Sequence, residues 1–164
     1  MRLTRAAEYA IRCMLYLAKQ GCGVLTSRQE IAEKADIPTH FLAKIAQDLA
    51  RANFIEIRQG AGGGFVLTRD PARISLLDVV ETMIGKIYLN DCVARPGSCK
   101  VTYNCAVHRV WQEARDQLRT TLNQVTFEQL IKKNSCVPAV AVRKFAGDSL
   151  DMDAALSRTH DKLQ

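Results

Sequence analysis

A chain of 164 residues, 48% of them apolar, is long enough for one compact core plus an accessory element and too short for a large multidomain enzyme. No apolar run reaches the ~18 residues of a membrane span, and no apolar N-terminal segment leads to a small-residue cleavage site, which points to the cytoplasm and away from membranes. The formal charge of +6 suits an anionic partner, but it divides evenly between residues 1–70 and the remainder, so motifs must place that partner.

The first predicted helix is capped by Thr4 and carries Leu3, Ala6, Ala7, Ala10, Cys13, Met14 and Leu17 at helical spacing until Gly21 and Gly23 end it. Ser27 and Glu30 read as a capping box for a short second helix, and Asp36-Ile37-Pro38 as the turn into a third. On that third helix Phe41, Leu42, Ile45 and Leu49 form the inward stripe, which leaves Thr39, His40, Lys44, Gln47 and Arg51 facing outward. After Asn53 the period drops to two: residues 54–58 and 65–68 flank Gly60-Ala61-Gly62-Gly63-Gly64, a hairpin with a glycine-rich tip. Three helices followed by a two-stranded hairpin make a winged helix-turn-helix.

Further on, Ser75 and Asp78 offer a capping box for a helix through Val79, Val80, Met83 and Ile84, stopped by Gly85. A cysteine-bearing loop follows. Val107, Trp111, Ala114, Leu118 and Val125 then recur as the seam of a long helix packing on another helix, with Asn104 as its natural N-cap. Thr126 and Gln129 cap a short helix over residues 127–133, and beyond Cys136 the periodicity fades. The expected class is thus mainly α with a small β-hairpin: a winged helix-turn-helix over 1–72, the cysteine loop and long helix over 73–134, and a partly disordered tail over 135–164.

The glycine-rich tip fails as a nucleotide cradle. It lacks the Gly-Lys-Ser/Thr of a phosphate loop, and it joins two strands instead of a strand and a helix. A wing is the better reading. Arg58 and Gln59 at its base suit a minor groove or a phosphate. Thr39, Lys44 and Gln47 on the third helix suit a major groove and His40 a phosphate or solvent contact instead of a metal, with Arg28 at the start of the second helix joining the DNA-facing set.

The strongest chemical signal is Cys92-x6-Cys99-x5-Cys105-x2-His108. Three thiolates within one loop fit an iron–sulfur cluster or zinc. Zinc fits less well, because the gaps exceed those of zinc knuckles and a fourth ligand is not obvious. Cys105 and His108 lie three apart on the first turn of a helix, so both can face one site; a partly exposed helix residue is the ordinary alternative for His108. Cys13 lies on the apolar stripe of the first helix and reads as core, whereas Cys22 and Cys136 read as exposed thiols without assigned work.

Met1-Arg2-Leu3-Thr4, the Gly60-x-Gly62-Gly63-Gly64-Phe65 wing, the three-cysteine loop and His108-x2-Trp111 together resemble the Rrf-type family of regulators, which includes IscR, NsrR and RirA, over about residues 1–133. The resemblance implies a homodimer built on the long helix, bound to a palindromic DNA operator. It also implies that Cys92, Cys99 and Cys105 hold an iron–sulfur cluster. In the IscR branch, which the segment 122–126 most resembles, His108 matches the fourth ligand of a [2Fe-2S] cluster. The first cysteine gap here is six residues where that branch has five. Glu8 matches the position where NsrR-like members bring an Asp across the dimer to a [4Fe-4S] cluster, so both cluster types and both fourth ligands stay open. A thiol-redox or zinc-containing DNA-binding regulator is the second reading. An enzyme is the weakest, since no cysteine has a recognisable base and orienting partner nearby.

Overall fold

The computed structural model describes residues 3–95 and 97–132. Lys133, Cys136 and the expected tail lie outside the described residues. Helix α1 (Arg5–Gln20) starts where Thr4 Oγ1 accepts from the Ala7 amide at 3.3 Å, and it ends at Gly21, whose φ of 105° no side chain adopts readily. Its stripe of Ala7, Ala10, Cys13, Met14, Leu17 and Ala18 is buried, whereas Leu3, expected on that stripe, stands exposed ahead of the helix. Helices α2 (Arg28–Lys34) and α3 (Thr39–Arg51) follow, joined through Asp36 at φ 52° and Ile37.

The hairpin forms from β2 (Ile55–Arg58) and β3 (Gly64–Leu67), and a strand not expected from the sequence, β1 (Leu25–Ser27), completes a three-stranded antiparallel sheet in the order β1-β3-β2. Leu25 pairs with Val66 and Ser27 with Gly64. A three-residue strand is too short to show alternation, and its partner lies far along the chain.

Phe65, Leu67, Leu42, Ile45, Leu49, Ile31 and Phe54 pack with the α1 stripe into one core, which also takes in Ile74, Val79 and Phe127. Helix α4 (Leu76–Ile84) has the full capping box expected of it. Ser75 Oγ accepts from the Asp78 amide at 3.1 Å, and Asp78 Oδ2 accepts from the Ser75 amide at 2.9 Å. Thr126 and Gln129 form the same reciprocal pair, at 3.3 and 3.2 Å, ahead of α7 (Phe127–Lys132). The Ser27 box is only half made. Ser27 Oγ caps the Glu30 amide, but the Glu30 carboxylate accepts from the Tyr16 hydroxyl at 2.8 Å instead of turning back to Ser27. That bond, with partial burial and the carboxylate's charge, raises the Tyr16 pKa.

Short helix α5 (Asp91–Ala94) and the long α6 (Ala106–Asn123) flank the cysteine loop. The expected cap, Asn104, closes a 3₁₀ turn over Thr102–Asn104 instead, so Cys105 becomes the residue before α6 and supplies no side-chain cap bond. The expected seam splits in two. Leu118 and Leu122 pack against Leu77, Val80 and Ile87, while Val107, Val110 and Trp111 are exposed. Among the described residues no helix is long and apolar enough to cross a membrane.

Burial pushes the Cys13 thiol up to about 12 from 9.0. The unfolded chain therefore loses this proton near pH 9 while the folded chain keeps it. Stability is fully present below pH 9 and falls by about 1.4 kcal/mol per unit between pH 9 and 12. Unfolding by denaturant across that window should show the slope, and Cys13→Ala should remove its share.

Candidate functional site

Helix α3 owes its orientation to Leu42, Ile45, Ala46 and Leu49, which are buried against α1 and leave Thr39, His40, Lys44 and Gln47 exposed on the opposite face. Phe41, expected inward, is half-buried: its ring lies 5.2 Å from Tyr9 on α1 and 4.6 Å from the His40 imidazole. Arg28 is exposed at the first position of α2, and Arg58 and Gln59 are exposed where β2 runs into the tip. Arg58 Nε pairs with Glu56 on its own strand at 3.2 Å. Such an exposed pair is weak, so the guanidinium remains available to a phosphate. Exposed cations and amide side chains on a helix and an adjacent wing are the equipment for meeting DNA.

The second group of residues gathers at the head of α6. His108, on the first turn of α6, approaches Cys92 on α5 with 3.4 Å between Nδ1 and Sγ. Cys92, Cys99, Cys105 and His108 are all partly buried, so water is limited but not excluded. The cysteines are free thiols. Among the described residues no three His, Cys, Asp or Glu side chains are gathered tightly enough to enclose one ion. The donor set of three thiols and an imidazole suits an iron–sulfur core, which is held by Cys thiolates with His able to replace them on one iron.

The pairing of His108 with Cys92 crosses sixteen residues and was not readable from spacing, which placed His108 beside Cys105. Glu8 is exposed on the first turn of α1. Cys22 is exposed, its thiol donating to the Leu67 carbonyl at 3.3 Å.

Two further residues make contacts that escaped sequence reasoning. Glu81 on α4 accepts from the Ile87 amide at 2.9 Å and pairs with Arg119 on α6, which fixes the approach to the cysteine loop. Arg12 on α1 reaches the α2–α3 turn, 24 residues away in sequence. No local pattern signals these contacts.

A family model described as "Rrf2: Iron-dependent Transcriptional regulator" matches residues 3–133. The HTH-type transcriptional regulator IscR of Escherichia coli (strain K12 / DH10B) is 25% identical over 163 residues, covering 99% of this chain and 96% of that protein. CymR, the global cysteine regulator of B. subtilis, superimposes with a TM-score of 0.65 at 24% identity, covering 82% of this chain and 99% of CymR. IscR of T. potens does so with a TM-score of 0.61 at 21% identity, covering 82% of this chain and 89% of that one. The two structural likenesses bear on the fold, a winged helix with a long helix appended. Because the family model spans the winged helix, the cysteine loop and α6 alike, the chain belongs to the Rrf2 family of DNA-binding transcriptional regulators.

Proposed function

We propose that the chain is a cytoplasmic, homodimeric regulator whose grip on a palindromic operator depends on an iron–sulfur cluster held by Cys92, Cys99, Cys105 and His108. The observation that carries this reading is the contact of His108 on α6 with Cys92 on α5 at 3.4 Å, which closes the loop that bears Cys99 and Cys105. When bound, the cluster supplies iron–thiolate bonds sensitive to iron supply, oxidants and nitric oxide. A [2Fe-2S] cluster is favoured, since His108 is available within the same chain, with a [4Fe-4S] cluster using Glu8 of a second copy as the other form.

The chain's own residues transmit the state of the loop. Cys105 immediately precedes α6 and His108 lies on its first turn, so any change in the ordering of residues 91–108 is felt by that helix. The exposed Val107, Val110 and Trp111 make the same part of α6 the proposed dimer seam. A shift there alters the spacing of two recognition helices over two half-sites. Thr39, His40, Lys44 and Gln47 would read bases, and Arg28, Arg58 and Gln59 would hold the backbone or minor groove.

The thiol-redox reading has one specific observation of its own, since a thiol beside an imidazole is also the arrangement of a reactive cysteine. Anaerobic purification followed by a visible spectrum with iron, sulfide and zinc analysis separates the two. About two irons per subunit is expected, with the chromophore lost in Cys92→Ala and its spectrum altered in His108→Ala. Colourless protein with stoichiometric zinc, or with neither metal, would transfer the site to the zinc or thiol reading.

A further inference from the structure

Helix α3 enters the DNA-facing surface without an N-cap of its own. The residue before it is Pro38, which supplies no side-chain hydrogen bond to the first turn. Capping ordinarily fixes where a helix starts and how it points, and the bases are met by the first residues of a recognition helix. Here the constraint comes from α1. Arg12 Nη1 donates to both the backbone carbonyl of Asp36, at 3.1 Å, and its carboxylate Oδ2, at 3.3 Å. Asp36 is the turn residue at φ 52°, and its side chain is 98% exposed, so nothing within the turn shields or fixes it.

The Arg12 guanidinium also lies 5.7 Å over the Tyr9 ring, three residues earlier on the same helix face. Tyr9 in turn packs against Phe41 at 5.2 Å, and Phe41 against His40 at 4.6 Å. The two α1 residues thus grip the start of α3 from both ends, Arg12 through the turn and Tyr9 through the aromatic stack. Between them Ile11 packs against both hydrophobic clusters of the molecule, including the one that seats α4 against α6. Helix α1 is thereby a rigid mount from which these side chains act.

We propose that Tyr9 and Arg12 are positioning residues for sequence recognition: they hold the first turn of α3 in the pose in which Thr39 and His40 meet the bases, without touching DNA themselves. This rests on the reading of α3 as the base-reading helix. Both partners of the Arg12–Asp36 pair are exposed, but two acceptors of Asp36 and the Tyr9 ring together hold the guanidinium, so its loss should disturb discrimination between sequences more than general attraction to the backbone. A cation lying on a phosphate does the reverse, because its counterion release is indifferent to sequence.

The test uses the full chain with two duplexes: the highest-affinity one that it selects from a randomised pool, and a scrambled duplex of the same composition, each titrated at several salt concentrations. Arg12→Ala should weaken the selected duplex by about tenfold, the size of one lost base-pair discrimination. The scrambled duplex should change by less than about twofold, and the slope of log K against log salt should stay as it was. Tyr9→Leu should act in the same sense. Arg12→Lys should recover part of the loss, since an ammonium can hold the Asp36 carboxylate but not both oxygens at once; it also serves where the alanine variant folds poorly.

Equal weakening of both duplexes, with the slope reduced by about one, would make Arg12 a phosphate contact and overturn the proposal. Unchanged binding to the selected duplex would overturn it as well. Lys44→Ala, measured beside these, tests the reading of α3 itself. If it leaves the selected duplex unaffected while Arg12→Ala does not, α3 is not the reading helix, and the proposal falls for that separate reason.

Discussion

Val110→Glu is expected to leave each subunit folded, to convert the protein to a monomer, and to weaken binding to a two-half-site operator by roughly 10²–10⁴-fold. Val110 is 63% exposed in the single chain, and Val107 and Tyr103 are 57% and 90% exposed, so no core contact within the subunit depends on Val110. No residue of α6 is buried in the single chain, although its C-terminal half leans on Leu77, Val80 and Ile87. An eighteen-residue helix with apolar side chains on its free half is unusual unless another surface covers them. A carboxylate placed amid that surface would have to be buried without a partner on association, a cost of several kcal/mol for each of the two copies. Each half-site would then be bound alone, and the gain from linking them would vanish. Sedimentation or light scattering gives the mass, circular dichroism the fold, and a titration of paired against single half-sites the loss. A variant that keeps the parent's mass and operator affinity would remove α6 from the dimer seam.

The parts of the fold that were legible in the sequence are those decided within a few residues. Thr4, Ser75 with Asp78, and Thr126 with Gln129 cap helices by bonds spanning three residues, and the α1 and α3 stripes follow from the helical period alone. The rest is decided at a distance. Glu30 leaves its capping box because Tyr16, on another helix, offers a hydroxyl. Strand β1 exists because β3 lies beside it, and neither its length nor its composition announces it. At the candidate site the residue types and their crowding were readable, but the direct approach of His108 to Cys92 was not, because it depends on α5 folding back against α6. Asn104 is a good cap by chemistry, yet the 3₁₀ turn in which it lies moves the helix start one residue on. The Arg12–Asp36 contact lies in the same class: each partner looks like an ordinary surface charge until α1 and the turn are side by side.

Gly64→Ala should be the most damaging single substitution in the wing, destabilising the chain by about 3 kcal/mol and lowering Tm by roughly 10 °C. The four glycines of the tip are not equivalent. A methyl group on Gly64 would lie 2.1 Å from the Thr26 carbonyl oxygen and 2.7 Å from its carbon, both of them backbone and unable to swing aside. Strand β1 must then part from β3, and β1 ends at Ser27, whose hydroxyl caps α2 at the Glu30 amide, 3.2 Å away. The damage therefore passes from the sheet into the helix-turn-helix, and DNA affinity should fall together with stability. Gly60 is required for a different reason, its φ of 105°, although space around it is open. Gly62 meets nothing within 4 Å and has no positive φ, so Gly62→Ala should change stability by no more than about 0.5 kcal/mol. Thermal melts of the two alanine variants side by side check the argument. Equal melting temperatures would mean that β1 yields freely to a methyl group, and that the close approach of these two strands does not hold α2 in place.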